Sequence, residues 1–444
     1  MDDRLFVEAW ESAFIVTTFV QFFHTIIGYM NRFLKKFHNM VNAIIILDEV
    51  QTIPPDYYHL LKQVIDVLGK RFNIYFLLIT ATQPEIVDQE KSEPLSVVQA
   101  ETYMKAPLFN RVKLTLQKKE QTLEEFAEDF YKFFSGVNCL IVMNTKKSAI
   151  FLYEQIRDQK TDYQVICLTT FLVPLDRKRK INQIKKDLKA GEKIIVVSTQ
   201  LIEAGVDLSF KLVYRDFGPL DSIVQVAGRC NRNGEYGELG GQMQLLKLVN
   251  EDHGGKPYHA YIYRPILAQY AEQTLKQDVY ESKDFSDLST VYFEKFEFTH
   301  KAGQLLSAIC DLNYDDDRRH QIPIEKFKLI EEYSEETLYI LVNPEAEQKM
   351  ERLLTFKEQL QEKELSKSEK ESRLLEIERL KAVLKNFQIS LRKQDIEVYK
   401  DSAIIEEKER YKFISYDNQK KFAYDPDIGF LTVPKTELSP TISF

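Results

Sequence analysis

Short apolar runs recur along the chain, separated by longer stretches of mixed polarity. They are Phe14 to Thr18, Ala43 to Leu47, Ile74 to Thr80, Cys139 to Met143, Val165 to Leu168, Ile194 to Ser198 and Leu212 to Tyr214. These runs are rich in β-branched residues and apolar at successive positions, so both faces of each need cover. That pattern predicts strands of parallel sheets packed between helices, an α/β fold. Polar residues follow several runs directly: Asp48 and Glu49, Thr80, Asn144, Thr199. They fall at carboxyl ends of strands, the edge at which open α/β sheets bind ligands.

Pro84, Pro94 and Pro107 punctuate an aperiodic stretch, which places a break at residues 84–112. The expected units are 1–110, 111–265 and 266–444. In the last, residues 345–393 are dense in Glu, Lys and Leu and predict a helical hairpin. Ser368 and Glu371 have the spacing of a capping box that would split it. Ile377, Leu380, Leu384, Phe387 and Leu391 form a seam of threes and fours. Tyr411 to Val433 reads as short strands with turns at Asp417-Asn418-Gln419 and Asp425-Pro426-Asp427.

Hydrophobic residues make up 44% and charged residues 29% of 444, which fits a soluble globular protein. Four scattered cysteines without metal spacing suit a reducing, cytoplasmic setting. No run is apolar enough to span a bilayer, and no membrane partner is expected. A net charge of -8 excludes a uniformly basic nucleic-acid coat, so such binding needs a local groove.

Acidic Asp48-Glu49 at a strand end can hold magnesium through water (Asp48) and orient an attacking water (Glu49). The same pair also suits a helix start. Thr80 and Thr82 can relay between two domains or simply cap the backbone. In Gln225-Val226-Ala227-Gly228-Arg229-Cys230-Asn231-Arg232 the two arginines make a charge clamp for phosphate, with Gln225 toward nucleotide or the facing domain. Ser198, Thr199 and Gln200 open a stretch that can bind a nucleic-acid phosphate. Within it Gly205 makes a turn, and Asp207 can bond a ribose hydroxyl or an arginine. Asn144 with Thr145, and Thr17 and Thr18 with Gln21, are further polar strand ends for a nucleic-acid backbone or for capping. The basic run 177–193 is equally a groove wall or a solvated face. His253-Gly254-Gly255-Lys256-Pro257 lacks the spacing of a phosphate loop, and no GxxxxGK[ST] occurs in the 444 residues.

In order, TTFVQF, LDEVQ, ITATQP, VMNTKKSA, STQLIEAGVDL and QVAGRCNRNG resemble a superfamily 2 helicase. DEVQ, STQLIEAGVD and QVAGRCNRNGE together look like the type I CRISPR-associated helicase-nuclease. The likeness runs over about residues 5–240, with a weaker echo at Tyr424 to Phe430. It implies two RecA-like parallel-sheet domains, the first N-terminally truncated, and a helical and mixed α+β C-terminal region. It implies ATP and Mg2+ as cofactors and single-stranded DNA as track. It also implies an RNA-guided CRISPR surveillance complex as recruiter. Asp48 and Glu49 would serve magnesium and water, and Thr80 and Thr82 coupling. Asp207 and Gln225 would face nucleotide, and Arg229 and Arg232 its terminal phosphate. Thr17, Thr18, Asn144, Thr199 and Gln200 would line DNA. The family's histidine-aspartate nuclease pair and phosphate loop have no counterpart in these residues. The 444 residues alone are therefore expected neither to hydrolyse ATP nor to cut DNA; they read equally as a gene fragment, as a truncated stretch of a longer protein, or as one half of a split protein whose partner is a separate N-terminal chain carrying the phosphate loop and nuclease. Another superfamily 2 helicase acting on DNA or RNA, and a non-catalytic nucleic-acid-binding module, are the rival readings.

Overall fold

The computed structural model describes residues 9–80, 109–134, 136–159, 162–296, 300–316, 321–329, 335–361, 365–399, 404–416 and 423–432. Helices α1 (Phe19–Ile27) and α2 (Asn31–Phe37) come first. Strand β1 (Ile44–Asp48), helix α3 (Tyr58–Phe72) and strand β2 (Tyr75–Ile79) follow. The two strands pair in parallel, Ile44 beside Tyr75 through Asp48 beside Ile79. The expected strand from Phe14 to Thr18 is not formed. Thr18 instead caps α1, its Oγ1 accepting from the Gln21 amide at 3.3 Å, while Phe14 is 83% exposed. No described strand lies beside this segment to complete a ladder.

One face of the small sheet packs inward, with Ile45, Leu47, Phe76 and Leu78 against a core that includes Leu60 and Leu61 of α3. The other face bears Ile44 (73% exposed), Ile46, Tyr75 (63%), Leu77 and Ile79, all open to solvent. Polar and aromatic contacts hold this part to the rest. Asp56 pairs with Arg264, Tyr57 donates to the Lys328 carbonyl at 2.8 Å, and the Tyr58 ring lies 6.0 Å from Phe293.

The second sheet is built from β3 (Val112–Gln121), α4 (Leu123–Phe133), β4 (Cys139–Val142), α5 (Lys146–Gln159), β5 (Gln164–Leu168), α6 (Pro174–Ala190), β6 (Ile194–Ser198), β7 (Leu212–Asp216), α7 (Leu220–Ala227) and β8 (Gly241–Asn250). Its parallel strands run in the order β3-β8-β7-β4-β6-β5. All of β4 and β6 is buried, as expected of strands covered on both faces. A short β9 (Lys256–Pro257) pairs antiparallel with β8 and begins at the lysine of the Gly-Gly-Lys that lacks phosphate-loop spacing. Strands β3 and β8 carry no apolar run because each is long and half polar (VKLTLQKKEQ and GQMQLLKLVN). After α8 (Pro265–Thr274), β10 (Val279–Glu281) returns antiparallel to β3, so this sheet reaches beyond residue 265.

Helices α9 (Phe285–Phe293) and α10 (His300–Cys310) follow, and α10 packs on α3. A four-stranded sheet has the order β12-β11-β14-β13, formed by β11 (Glu335–Ile340), β12 (Gln388–Arg392), β13 (Glu406–Lys408) and β14 (Tyr411–Ile414). Between its first two strands lies the helical hairpin of α11 (Pro344–Gln361) and α12 (Lys367–Leu384). The capping box is Ser366 with Glu369, two residues before the expected pair. Ile377, Leu380 and Leu384 join the hairpin core. Leu391 leaves the helical seam to sit on β12, where a strand's alternation buries it instead.

Strands β15 (Tyr424–Asp425) and β16 (Gly429–Phe430) make a hairpin laid on the second sheet's unit. Phe430 donates its amide to the Phe171 carbonyl at 3.0 Å, and the Tyr424 hydroxyl donates to Asp176 at 2.8 Å. Gly429 has φ +94, and a Cβ there would meet the Phe171 backbone at 2.3 Å, so both conformation and space demand glycine. The turn expected at residues 417–419, and most of the expected break at 84–112, lie outside the described residues.

Candidate functional site

Asp48 ends β1 and is exposed. Glu49 follows with φ +55, a left-handed backbone uncommon outside glycine and asparagine. The Glu49 carboxylate accepts from Gln51 Nε2 at 2.6 Å. Buried Gln51 in turn accepts from the Thr80 hydroxyl just beyond β2. A single relay thus joins the two strand ends through Gln51, a residue to which the sequence reading gave no role. Thr82 lies outside the described residues.

Arg229 and Arg232 follow α7. Arg229 is buried and donates from Nε to the Ile202 carbonyl at 2.9 Å and from Nη2 to that of Glu203. Arg232 donates from Nε to Asp207 at 2.7 Å. Of the two partners expected for Asp207, an arginine is the one it meets. Burial lowers the Arg229 pKa, and Arg232 lowers it further; Asp207, Glu49 and Glu203 act in the opposite direction. Between the arginines, buried Asn231 adopts φ +46 and bonds the carbonyls of Arg111 and Gly237. Gln225 is half-buried on α7, one turn before Arg229. Gly205 turns at φ +71 beside the exposed Asp207.

The polar strand ends divide. Thr17 and Thr18 are exposed and Gln21 half-buried. Thr145 caps α5 by accepting from the Ser148 amide at 3.1 Å. Asn144, expected to line nucleic acid, is 1% exposed. Its amide donates to Asp216 at 2.6 Å and to the Phe217 carbonyl at 2.7 Å, and accepts from Arg215 at 2.7 Å. Its side chain is fully committed inside the protein. Ser198 and Thr199 are likewise buried, with the Ser198 hydroxyl donating to the Leu168 carbonyl at 2.7 Å. Gln200 Nε2 donates to the Asn144 carbonyl at 2.9 Å and to the Tyr263 hydroxyl at 3.1 Å.

Asn144 and Gln200 belong to a buried network centred on Arg215. This arginine is fully buried at the end of β7 and donates to Asn144, Ser222, Tyr263 and Glu203. Burial pushes the Glu203 carboxyl up to about 7 and Asp216 up to about 7, partly offset by Arg215 in both cases. Burial also raises Asp221, at the start of α7, to about 6. The sequence signal was available: a charged Arg215-Asp216 pair closes an otherwise apolar strand.

No cluster of three or more His, Cys, Asp or Glu with metal-binding geometry occurs among the described residues. No helix among them is long and apolar enough to cross a membrane.

Residues 135–235 match the family described as CRISPR-associated nuclease/helicase Cas3, C-terminal. The CRISPR-associated nuclease/helicase Cas3 of Haloferax volcanii is 27% identical over 55% of this chain and 36% of its own length. The chain thus spans about a third of the length of the curated relatives it matches. Among solved structures, T. fusca Cas3 superposes with a TM-score of 0.61 at 14% identity, over 93% of this chain and 57% of that one. A chain of a CRISPR RNA-guided surveillance complex, pre-nicking, does so with a TM-score of 0.59 at 12% identity, over 96% and 61%. The α/β architecture with RecA-like sheets is therefore shared with these structures. The chain is thus similar to Cas3-like helicase/nucleases, and the family model matches it over residues 135–235.

Proposed function

We propose that these residues are part of an ATP-dependent single-stranded-DNA translocase of CRISPR interference. The observation that carries this reading is the Glu49–Gln51–Thr80 relay across the ends of β1 and β2, together with Arg229 and Arg232 held after α7 by loop carbonyls and by Asp207. A triphosphate with its magnesium would lie between them, and its bound form supplies the phosphoryl bond to be broken. Asp48, a single exposed carboxylate, suits magnesium that keeps most of its waters. Glu49 would orient the attacking water. Arg232, with Arg229, would neutralise charge on the terminal phosphate. Gln225, Gly205 and Asp207 would border the nucleotide. Thr80 and Thr82 would couple its state to the track, with Gln51 linking Thr80 to Glu49. Thr17, Thr18, Gln21, Thr145 and Gln200 remain the side chains for a DNA backbone. Backbone groups at Asn144, Ser198 and Thr199 take the place of their buried side chains.

The 444 residues contain neither GxxxxGK[ST] nor a His-Asp pair. By themselves they would neither turn over ATP nor cut DNA. The uncovered face of β1 and β2 supports the same reading, because parallel sheets are normally covered on both faces. A further polypeptide carrying the phosphate loop would cover it, and a surveillance complex would deliver the track. The test is ATP hydrolysis with and without such a polypeptide. Turnover is expected only in its presence and to disappear with Glu49→Gln. Glu49-independent turnover would remove the assignment. Salt-sensitive binding of single strands without ATP, and no turnover under any complementation, would favour the non-catalytic binding module.

A further inference from the structure

The Arg229 guanidinium rests on two peptide carbonyls, those of Ile202 and Glu203. Something must fix those carbonyls if the arginine is to keep one position. Ile202 is fixed by its own burial. Beyond it the chain leaves a single turn of 3-10 helix and runs through exposed Ala204 and Gly205. At Glu203 it is the side chain that turns inward. Its carboxylate accepts from the Ser222 hydroxyl at 2.7 Å and from Arg215 Nη2 at 3.3 Å.

Those two donors are themselves immobile. Arg215 has no exposed surface and donates to Asn144 at 2.7 Å, Ser222 at 2.7 Å and the Tyr263 hydroxyl at 3.1 Å. Ser222 is buried on α7, the helix that leads to Arg229. Packing around the cluster is tight: a Cβ on Gly218 would meet Tyr263 at 3.3 Å and Arg215 at 3.5 Å. Tyr263 comes from outside residues 135–235, so the cluster joins the family-model region to the segment after it.

We infer that Glu203 is a positioning residue for Arg229: its carboxylate, anchored on Arg215 and Ser222, fixes the peptide carbonyls that hold the guanidinium. A buried polar group that loses its partner must move or rearrange, so the loop carrying the two carbonyls is the part that gives way. The importance of this for turnover rests on the proposed role of Arg229 in contacting phosphate; the mechanical link does not.

The experiment follows the Arg229 side-chain Nε–H by NMR in the 15N-arginine-labelled 444-residue chain, assigned with Arg229→Lys. Slow solvent exchange is expected in the wild type. Glu203→Leu should speed it about tenfold or more, the factor expected from losing a hydrogen bond to a charged group. Glu203→Gln keeps acceptors for Ser222 and Arg215 and should stay near wild type. Unchanged exchange in a folded Glu203→Leu chain, or equal loosening in both variants, overturns the inference. Should Glu203→Leu not fold, Ser222→Ala removes one anchor and should speed exchange about threefold; no change there overturns it equally. In chain complemented with a phosphate-loop polypeptide, Glu203→Leu should lower kcat with KM for ATP little altered. Absence of turnover in the complemented wild type would count against the motor reading alone, because the exchange measurement needs no nucleotide.

Discussion

Arg232 and Asp207 meet at 2.7 Å on the surface, the arginine side chain 39% and the aspartate 71% exposed. So exposed a pair is screened and adds under about 1 kcal/mol to stability. Asp207→Asn should therefore leave the melting temperature almost unchanged. If the pair aims Arg232 at phosphate, the same variant should slow ATP turnover of the complemented chain about tenfold, and Arg232→Ala about a thousandfold. Melting curves and steady-state kinetics on the two variants check this. A stability loss as large as the kinetic loss would make the pair structural.

The buried carboxyls give the chain a pH dependence of definite sign. Glu203 and Asp216 are raised to about 7, well above the values of an unfolded chain. The folded state thus holds protons that the unfolded chain releases. Their contribution to stability is fully present below about pH 4 and is lost as pH rises through about 7. Between pH 6 and pH 8 the chain should lose about 1–2 kcal/mol per carboxyl. Thermal melts across that range test it. Glu203→Gln should flatten the fall, since the amide does not titrate.

Opposite faces of the small first sheet should respond oppositely to mutation. Leu61 is fully buried behind it, and Leu61→Ala should cost about 2–5 kcal/mol. Ile46 and Tyr75 are exposed on the other face, so Ile46→Lys or Tyr75→Lys should cost under about 1 kcal/mol in this chain. The same substitutions should abolish complementation by a polypeptide that covers the face. Hydrogen exchange should also be faster in β1 and β2 than in fully buried β4 and β6. Uniform protection of all four strands would contradict it.

Gly429→Ala should release the C-terminal hairpin. It forces a side chain onto a residue at φ +94 and into the Phe171 backbone, a combined strain on the order of 1–3 kcal/mol. Limited proteolysis should cut near residues 423–432 sooner than in the wild type, while the second sheet stays folded. Unaltered cleavage would show that the hairpin is held chiefly by Tyr424 on Asp176 and Val173.

What the sequence determined by itself was local and periodic. Apolar runs marked β4 to β7 because a strand covered on both faces is apolar at successive positions, and they marked β1 and β2 too, although one face of that pair is open to solvent here. Motif order marked the acidic end of β1 and the arginines after α7, because those residue types at strand and helix ends are chemically distinctive. Strands β3 and β8 stayed hidden, since half-polar strands lack that signature. The failed strand at Phe14 to Thr18 had the right residues but no described neighbour to pair with. Which polar residues are buried was decided by tertiary structure alone. Asn144, Ser198 and Thr199 read like ligand-lining strand ends, yet their side chains are buried, that of Asn144 on Arg215 and that of Ser198 on the Leu168 carbonyl. Glu203 and Tyr263, 60 positions apart, share Arg215 as a partner only because the folded chain brings both to the end of β7. A sequence states which groups need partners; only the packed chain decides which partners are within reach.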